Sequence, residues 1–112
     1  MPYKLVFSPV FKISLRRLKS FLERKFSKEL SEAAQSQIRK AIEETLPFNP
    51  FMGSVCDRLL DLGVAGYRQW IIDKHNTVIY RVDEDNKELI ILLAFDSRQS
   101  LQKLLTDVNL VL

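Results

Sequence analysis

The stretch from Gly66 to Leu105, GYRQWIIDKHNTVIYRVDEDNKELIILLAFDSRQSLQKLL, decides the fold of this chain. Runs of β-branched and aromatic residues alternate there with short polar segments, which is typical of strands joined by turns. The pattern predicts strands over Tyr67–Asp73, Thr77–Val82 and Leu89–Phe95. The last strand is apolar on both faces, which indicates a central position covered on both sides or covered by helices on one.

Three arginines lie at the ends of these strands. Arg68 opens the first strand, Arg81 closes the second, and Arg98 follows the third. This spacing predicts that the arginines converge on one face of a small sheet. Guanidinium groups donate paired hydrogen bonds to phosphate and carboxylate oxygens, so we expect such a face to bind phosphate or an acidic protein. The alternative is that the arginines connect neighbouring strands and face solvent at the edge of the sheet.

The first half of the chain predicts a strand followed by two helices. Tyr3–Phe7 alternates as a strand does, and Ser8 can then cap a helix that starts at Pro9. Ser27 can cap a second helix in the same way. Two helices joined near Phe26–Ser27 predict an antiparallel hairpin. Apolar residues recur at helical spacing in both segments: Phe11, Leu15, Leu18 and Leu22, then Leu30, Ala34, Ile38 and Ile42.

The first of these helices is strongly basic. Seven basic residues and a single acid, Glu23, lie between Lys12 and Lys28. Such a face is either solvated or a docking surface for an acidic partner. The docking alternative selects four candidate residues: Lys12, Arg16, Lys19 and Arg24.

The remaining segments complete an α+β domain that spans residues 1–112. Pro47–Gly53 predicts a loop whose Phe48, Phe51 and Met52 are expected to fold back over the core, the alternative being an exposed apolar patch. Cys56–Leu62 predicts a further strand, and Asp96–Ser97 is expected to cap a short last helix. The predicted architecture is a helical hairpin packed on a small antiparallel sheet, in the order β-α-α-β-β-β-α.

Composition excludes several classes of function. The net charge of +3 is a mild basic bias, and the only cysteine, Cys56, is expected to be buried and reduced. One histidine and three glycines leave no zinc cluster, no catalytic Ser-His-Asp set and no nucleotide-binding loop, so we expect no metal and no cofactor.

The longest apolar run, Leu89–Phe95, has seven residues, too few for a membrane span. We therefore expect a cytoplasmic protein that does not contact membranes.

The order of elements and four short motifs resemble the RelE/ParE toxin superfamily of type II toxin–antitoxin modules, and are closer to its ParE-like branch. The motifs are YKLVFSP at Tyr3–Pro9, GYR at Gly66–Arg68, VIYRVDED at Val78–Asp85 and DSRQ at Asp96–Gln99. The resemblance covers nearly the whole chain. It implies a toxin that a cognate antitoxin neutralises, either as a homodimer or as a hetero-oligomer with that antitoxin.

The superfamily divides by target. RelE-like members cut mRNA on the ribosome with basic residues and often a tyrosine in the last helix, whereas ParE-like members resemble gyrase poisons. Here the segment Gln99–Leu105 has neither tyrosine nor histidine, and an RNase needs an acid–base group. The resemblance therefore implies inhibition of DNA gyrase without enzymatic activity and without a catalytic residue. Arg68 and Arg98 match positions where the family commonly has arginine, and together with Arg81 they are the candidate contacts with the target.

Two alternatives stay open. One is a ribosome-dependent mRNA endonuclease in which the same arginines contact the phosphate and Lys74 or His75 acts as a weak base. The other is a binding module that keeps the fold and has lost toxicity. Under every toxin interpretation, the resemblance implies that the antitoxin docks on the helical hairpin and the sheet edge, where Lys12, Arg16, Lys19 and Arg24 are the candidate contacts.

Overall fold

The computed structural model describes residues 2–107, which form one sheet with helices on both of its faces. The described elements follow one another as β1 (Lys4–Phe7), α1 (Pro9–Lys25), α2 (Lys28–Glu44), a 3₁₀ turn (Leu46–Phe48), β2 (Ser54–Val55), α3 (Asp57–Asp61), β3 (Arg68–Ile71), β4 (Asn76–Asp83), β5 (Glu88–Asp96) and α4 (Leu101–Asp107). No helix within this range is both long and apolar enough to cross a membrane.

The sheet has five strands in the order β1-β5-β4-β3-β2. The neighbouring pairs β2–β3, β3–β4 and β4–β5 are antiparallel, while β1 joins the edge of β5 in parallel. The predicted α+β class, with a helical hairpin on a small sheet, is confirmed. The parallel pairing of β1 departs from the predicted antiparallel sheet, because the hairpin α1–α2 and the antiparallel strands bring the chain back alongside its own start.

Serine caps begin both helices of the hairpin as predicted. The Ser8 hydroxyl accepts a hydrogen bond from the Phe11 amide at 3.1 Å, and the Ser27 hydroxyl accepts one from the Leu30 amide at 3.0 Å. Most of the positions that are apolar by sequence face the sheet, and Leu18, Ile38 and Ile42 have no exposed surface. Leu30, at the start of α2, is the exception and is 43% exposed. Burial of this face stabilises helices that would be marginal in isolation.

Beyond the end of β1 at Phe7, two serines, the N-cap Ser8 and Ser14 within α1, form hydrogen bonds to β5 in place of a strand. Beyond Phe7, the edge of β5 has lost its neighbour, and its polar backbone groups need other partners. The Ser8 hydroxyl donates to the Leu92 carbonyl at 2.9 Å, and the Ala94 amide donates to the Ser14 hydroxyl at 3.1 Å. The fully buried Ser14 also donates to the Phe11 carbonyl at 2.7 Å. Helix α1 is thus hydrogen-bonded to the sheet as well as packed on it.

The sheet separates two parts of the core, and a bulge in β5 shifts which of its residues face each part. The register between β4 and β5 shifts at Ile79/Tyr80, where Leu92 has no partner on β4. Ile91 and Tyr80 therefore pack beneath the hairpin, whereas Leu92 and Leu93 pack together on the opposite face. That second face is covered by α3 and α4, whose buried residues include Leu59, Leu101, Leu104 and Leu105.

Two predictions of secondary structure are wrong. Cys56–Leu62 was expected as a strand, but the short strand is Ser54–Val55 and the five residues after Cys56 form α3. Asp57 and Asp61 therefore do not lie on the sheet. Helix α4 is capped by Ser100, whose hydroxyl accepts from the Lys103 amide at 3.2 Å, rather than by Asp96–Ser97. Asp96 still belongs to β5.

The loop before β2 also differs from its prediction. Phe48, Phe51 and Met52 do not fold over the core; their exposed fractions are 66%, 47% and 44%. The preceding Leu46 is fully buried instead and closes the core at this end. The expected burial of the free Cys56 is confirmed.

Candidate functional site

Arg68 lies at the start of β3, next to the loop before β2. It pairs with Tyr80 on β4, so the two side chains share the face on which the hairpin packs. Its Nη1 donates to the Gly53 carbonyl at 2.6 Å, and its guanidinium lies 5.0 Å from the centre of the Phe51 ring. Arg68 is thereby half-buried and fixed in place.

Tyr80 also binds the loop before β2, through its hydroxyl group. The Gly53 amide donates to the Tyr80 hydroxyl at 3.0 Å, and that hydroxyl donates to the Pro50 carbonyl at 2.8 Å. Burial raises the pKa of Tyr80, against the opposing influence of the Gly53 amide and the Arg68 charge. The phenol thus stays protonated and keeps the O–H group that donates to the Pro50 carbonyl. A Cβ at Gly53 would lie 2.7 Å from the Gln69 carbonyl oxygen. Only glycine can therefore lie so close to the backbone of β3.

Arg81 follows Tyr80 on β4, and its side chain therefore points to the opposite face of the sheet. It is half-buried and pairs with Ile90 near the start of β5. Arg98 lies beyond the other end of β5, so about 20 Å of strand separates it from Arg81 at a rise of ~3.3 Å per residue.

Arg98 is held by the last residue of β5. Its Nε and Nη2 donate to the two carboxylate oxygens of Asp96 at 2.8 and 2.6 Å, and its backbone amide donates to the same carboxylate at 2.8 Å. Its guanidinium also lies 4.4 Å from the centre of the Phe26 ring, at the tip of the hairpin. The Asp96 carboxylate raises the pKa of Arg98. Burial tends to raise the pKa of Asp96, but the hydrogen bonds and charge of Arg98 outweigh it and lower this pKa.

The turn between β3 and β4 brings a histidine beside Arg98. The Ser97 amide donates to the His75 carbonyl at 2.7 Å, and the His75 Nδ1 lies 3.4 Å from the Ser97 hydroxyl. His75 and Arg98 line the same cavity of about 320 Å³ under the hairpin tip. The chain thus places a histidine next to its final arginine through space, although Phe95 and Asp96 precede that arginine in sequence.

Asp73 shapes this turn. It accepts hydrogen bonds from the backbone amides of His75 and Asn76 at 2.8 and 2.9 Å and from the Asn76 side chain at 2.9 Å. Burial tends to raise the pKa of Asp73, but these hydrogen bonds lower it overall. The buried Oδ1 of Asn76 is the one buried side-chain nitrogen or oxygen within residues 2–107 that has no hydrogen-bond partner.

The three predicted target-binding arginines therefore occupy three separate places. Arg68 and Arg81 point to opposite faces of the sheet, and Arg98 lies at its far end. The predicted convergence on one face is wrong, because β3 and β4 pair in a register that alternates the side chains of Arg68 and Arg81. The role of each arginine stays a prediction.

The four predicted antitoxin contacts divide into two groups on α1. Lys12, Arg16 and Lys19 are exposed and fall within about 60° around the helix axis, at ~100° per residue. We call these three residues the α1 stripe. Arg24 lies about 80° further round than Arg16. It is directly in line with Arg17, two helical turns earlier.

Arg17 and Arg24 face an open cavity of about 350 Å³ that lies between α1 and α4. We call it the α1–α4 cleft. Five basic side chains line it, namely Arg17, Arg24, Lys25, Arg98 and Lys103. Sequence reasoning missed Arg17, Lys25 and Lys103 as members of one group. The seven-residue spacing of Arg17 and Arg24 was available as a signal, but their meeting with α4 depends on tertiary packing.

Metal ligands are not grouped in the part of the chain that the structure describes: no cluster of three or more His, Cys, Asp or Glu side chains lies within residues 2–107. The arrangements available for recognition are hydrogen-bonding and cationic groups, namely the anchored Arg68 and Arg98 and the basic residues of α1.

Comparison with protein families gives the decisive match. The profile of the ParE toxin of type II toxin–antitoxin systems matches residues 5–101, which is most of the chain. The chain belongs to the ParE toxin family. The expected membership of the RelE/ParE superfamily is confirmed, and a toxin of a type II toxin–antitoxin system is the function that this family supports.

Solved structures share the fold of this ParE-family chain at low sequence identity. A chain of the chromosomal ParDE toxin–antitoxin system of P. aeruginosa is 17% identical with a TM-score of 0.65, covering 84% of this chain and 95% of that one. A chain of the RelBE2 toxin–antitoxin complex of Mycobacterium tuberculosis is 18% identical with a TM-score of 0.59, covering 86% and 99%. Both likenesses concern the fold alone. No protein of curated function matches the sequence.

Proposed function

We propose that this ParE-family toxin inhibits DNA gyrase and that a cognate antitoxin neutralises it. The observation that carries the choice of gyrase is the separation of Arg68, Arg81 and Arg98 on three surfaces. The RNase alternative needs these three arginines to contact one phosphate, because they must stabilise the charge that develops there. Inhibition by binding a protein target has no such requirement.

Helix α4 supports the same choice. Among residues 101–106 of this helix, the exposed ones are Gln102, Lys103 and Thr106, none of which is a tyrosine or a histidine. Cleavage of RNA without a metal needs a positioned group to take or give a proton. The last helix therefore offers no general acid or base of the kind that the RelE branch often places there.

The test is a gyrase supercoiling assay on the purified protein, with a translating extract as the parallel assay. We expect loss of supercoiling or trapped, cleaved DNA, and intact messenger in the extract. Arg98→Ala should weaken the inhibition if Arg98 contacts gyrase. Arg58→Ala is the matched control, because Arg58 is an exposed arginine on α3. Normal supercoiling at every protein concentration would overturn the gyrase proposal.

A ribosome-dependent mRNA endonuclease is the second candidate, and one observation favours it. His75 and Arg98 line the same cavity under the hairpin tip. There His75 would exchange a proton with a nucleotide whose phosphate is bound by Arg98. Under this alternative, His75→Ala abolishes cleavage of messenger in the translating extract, while supercoiling by gyrase stays normal. Normal supercoiling together with intact messenger would favour a binding module that has the toxin fold without toxicity.

The antitoxin is proposed to dock on the hairpin. The α1 stripe and Arg24 are exposed on one helix, and an acidic partner would be attracted to them before contact. Two of the solved structures with this fold come from toxin–antitoxin systems, which supports a hetero-oligomer with the antitoxin. Size-exclusion chromatography of the co-expressed pair tests this: a single complex larger than the toxin alone is expected.

A further inference from the structure

The loop before β2 and β2 itself expose a group of apolar side chains at the edge of the sheet. They are Phe48, Phe51, Met52 and Val55, and between 44% and 66% of each is exposed. We call these four residues the β2 patch. Single apolar side chains are common on protein surfaces, whereas adjoining ones mark sites of interaction. The segment 48–55 contains no charged residue, so no charge interrupts the patch along the chain.

Hydrogen bonds fix the backbone beneath the β2 patch. The Gly53 amide donates to the Tyr80 hydroxyl, and Arg68 Nη1 donates to the Gly53 carbonyl. The Met52 amide also donates to the Asn49 carbonyl at 3.1 Å. A segment that is ordered before binding loses less conformational entropy when a partner binds. The fold thus holds these apolar side chains in fixed, exposed positions, although burying them against the core would stabilise it more.

Arg68 places a single positive charge beside the β2 patch. Its guanidinium lies 5.0 Å from the centre of the Phe51 ring, and the residue pairs with Val55 across the two strands. The one ion pair within residues 2–107 is that of Arg98 with Asp96, so no carboxylate of this range balances Arg68. Guanidinium groups bind carboxylates through paired hydrogen bonds. The complementary surface is therefore an apolar pocket with a carboxylate at its rim.

These features distinguish between kinds of partner. A second copy of this chain would bring one Arg68 against another with no carboxylate from the patch between them, which like-charge repulsion disfavours. A nucleic acid would meet one cation here, whereas its backbone is bound through several. Met52 and Val55 also offer no ring on which a base would stack. A folded protein with an apolar, acid-rimmed pocket fits the whole patch.

We propose that the β2 patch, with Arg68 at its rim, inserts into an apolar, acid-rimmed pocket on the protein target of this toxin. The identification of that target as DNA gyrase rests on the proposed function. Apolar anchors that fill a pocket carry most of the binding free energy at protein interfaces, and arginine is frequent among them. The patch includes no residue of the helical hairpin, so we expect antitoxin binding to be independent of it.

The first test measures binding to immobilised gyrase holoenzyme by biolayer interferometry. Phe48→Ala/Phe51→Ala should weaken binding by at least about tenfold, because it removes both aromatic anchors. The matched control is Leu60→Ala/Ile71→Ala, which truncates side chains that are 44% and 60% exposed outside the patch. The control should change affinity by less than about threefold, as surface substitutions usually do. Equal losses in the two double variants would overturn the proposal.

Arg68→Gln tests the charge at the rim of the patch. We expect weaker binding to gyrase, and an affinity that depends less on salt than that of the wild type, because the variant lacks the guanidinium charge. Urea unfolding of every variant shows whether the fold is intact. An affinity and a salt dependence equal to those of the wild type would contradict the acidic rim.

Growth of a bacterial host that expresses each variant without antitoxin separates this inference from the choice of gyrase. Wild type that inhibits growth without binding gyrase would refute the proposed function, and loss of growth inhibition in the Phe48→Ala/Phe51→Ala variant alone would still support the patch. Growth inhibition by that variant equal to wild type would overturn the inference whatever the target. A wild type without any effect on growth or gyrase would overturn both proposals.

Other occupants of the β2 patch give different results. Loss of antitoxin binding in the Phe48→Ala/Phe51→Ala variant would assign the patch to the antitoxin. A wild-type dimer that this variant alone converts to a monomer, seen by size-exclusion chromatography, would assign it to a second copy. Binding of a single-stranded RNA oligonucleotide that this variant alone abolishes would assign it to nucleic acid. Each of these three outcomes would overturn the proposal.

Discussion

The Arg98 guanidinium covers both carboxylate oxygens of Asp96, and only 1% of the Asp96 side chain is exposed against 37% of the Arg98 side chain. The pair closes the end of β5 and points its arginine towards the hairpin tip. Burial of one partner gives the pair its structural importance, because a buried carboxylate without a cation is unfavourable. The exposed partner is the one available to a target.

Asp96→Asn removes the charge and presents an amide donor to the donors of Arg98. We expect this variant to lower the free energy of unfolding by about 1–3 kcal/mol, the cost of leaving buried hydrogen-bonding groups mismatched. Urea unfolding followed by circular dichroism measures it. Asp85→Asn, at an exposed position in the β4–β5 turn, is the control and should leave the midpoint unchanged. Equal midpoints for both variants would contradict the importance of the pair.

Stability should fall in acid because the folded protein lowers the pKa of both Asp96 and Asp73. A carboxylate whose folded pKa is depressed stabilises the protein above its unfolded pKa, near ~3.9, and this contribution disappears as pH falls through the folded pKa. The free energy of unfolding should therefore decline below about pH 4. The decline should be shallower in Asp96→Asn, which has lost one of the two groups. A parallel decline in both proteins would exclude Asp96 as its source.

Ser14→Ala should destabilise the protein although it removes a single oxygen. The Ser14 hydroxyl accepts from the Ala94 amide and donates to the Phe11 carbonyl, so its loss leaves a buried amide unpaired. The expected cost is about 1–3 kcal/mol. Hydrogen exchange should show faster exchange of the Ala94 amide specifically. Ser20→Ala, at an exposed position of the same helix, provides the comparison and should cost almost nothing.

Tyr80→Phe tests how the loop before β2 is held. The substitution keeps the ring and removes the hydroxyl that bridges the Gly53 amide and the Pro50 carbonyl. We expect a loss of about 1–3 kcal/mol in unfolding free energy and faster proteolysis of the Phe48–Met52 loop. Tyr67→Phe is the matched control, because the Tyr67 hydroxyl has no hydrogen bond within residues 2–107. A loop that resists proteolysis equally in both variants would count against the bridge.

The α1 stripe should act on the rate at which the antitoxin associates. Reversing Arg16 and Lys19 to glutamate is expected to slow association with the antitoxin in low salt, and added salt should reduce the difference. Stopped-flow fluorescence at several salt concentrations measures this. Lys40→Glu/Arg58→Glu serves as the control, because it makes the same change of net charge at exposed residues outside α1. Unchanged kinetics at low salt would rule out steering by the stripe.

The sequence predicted those parts of the fold that depend on local patterns. The apolar spacing of Leu18, Ile38 and Ile42 and the capping serines Ser8 and Ser27 specified the hairpin, because each of these signals acts within a few residues. The short helix α3 was mistaken for a strand since five residues make little more than one helical turn. Periodicity cannot separate a strand from a helix over so short a segment.

The site was less predictable because it depends on pairing across long distances. Whether Arg68 and Arg81 share a face is set by the register of β3 on β4, and a shift of one residue would reverse it. The cleft joins Arg17 and Arg24 of α1 to Arg98 and Lys103, which lie more than seventy residues later in the sequence. His75 reaches Arg98 in the same way, through the end of the sheet. No local pattern in the sequence indicates these long-range contacts.

The pairing of β1 with β5 has a consequence for synthesis of the toxin. Strand β1 and the Ser8 hydroxyl bond to residues about eighty positions later, 84 in the case of Ser8 and Leu92. A growing chain therefore leaves its first strand unpaired, and the apolar face of its hairpin uncovered, until β5 has left the ribosome. Neither the Arg98 pair nor the α1–α4 cleft exists before then. Any interaction that depends on the Arg98 pair or on the cleft therefore begins only after β5 has left the ribosome.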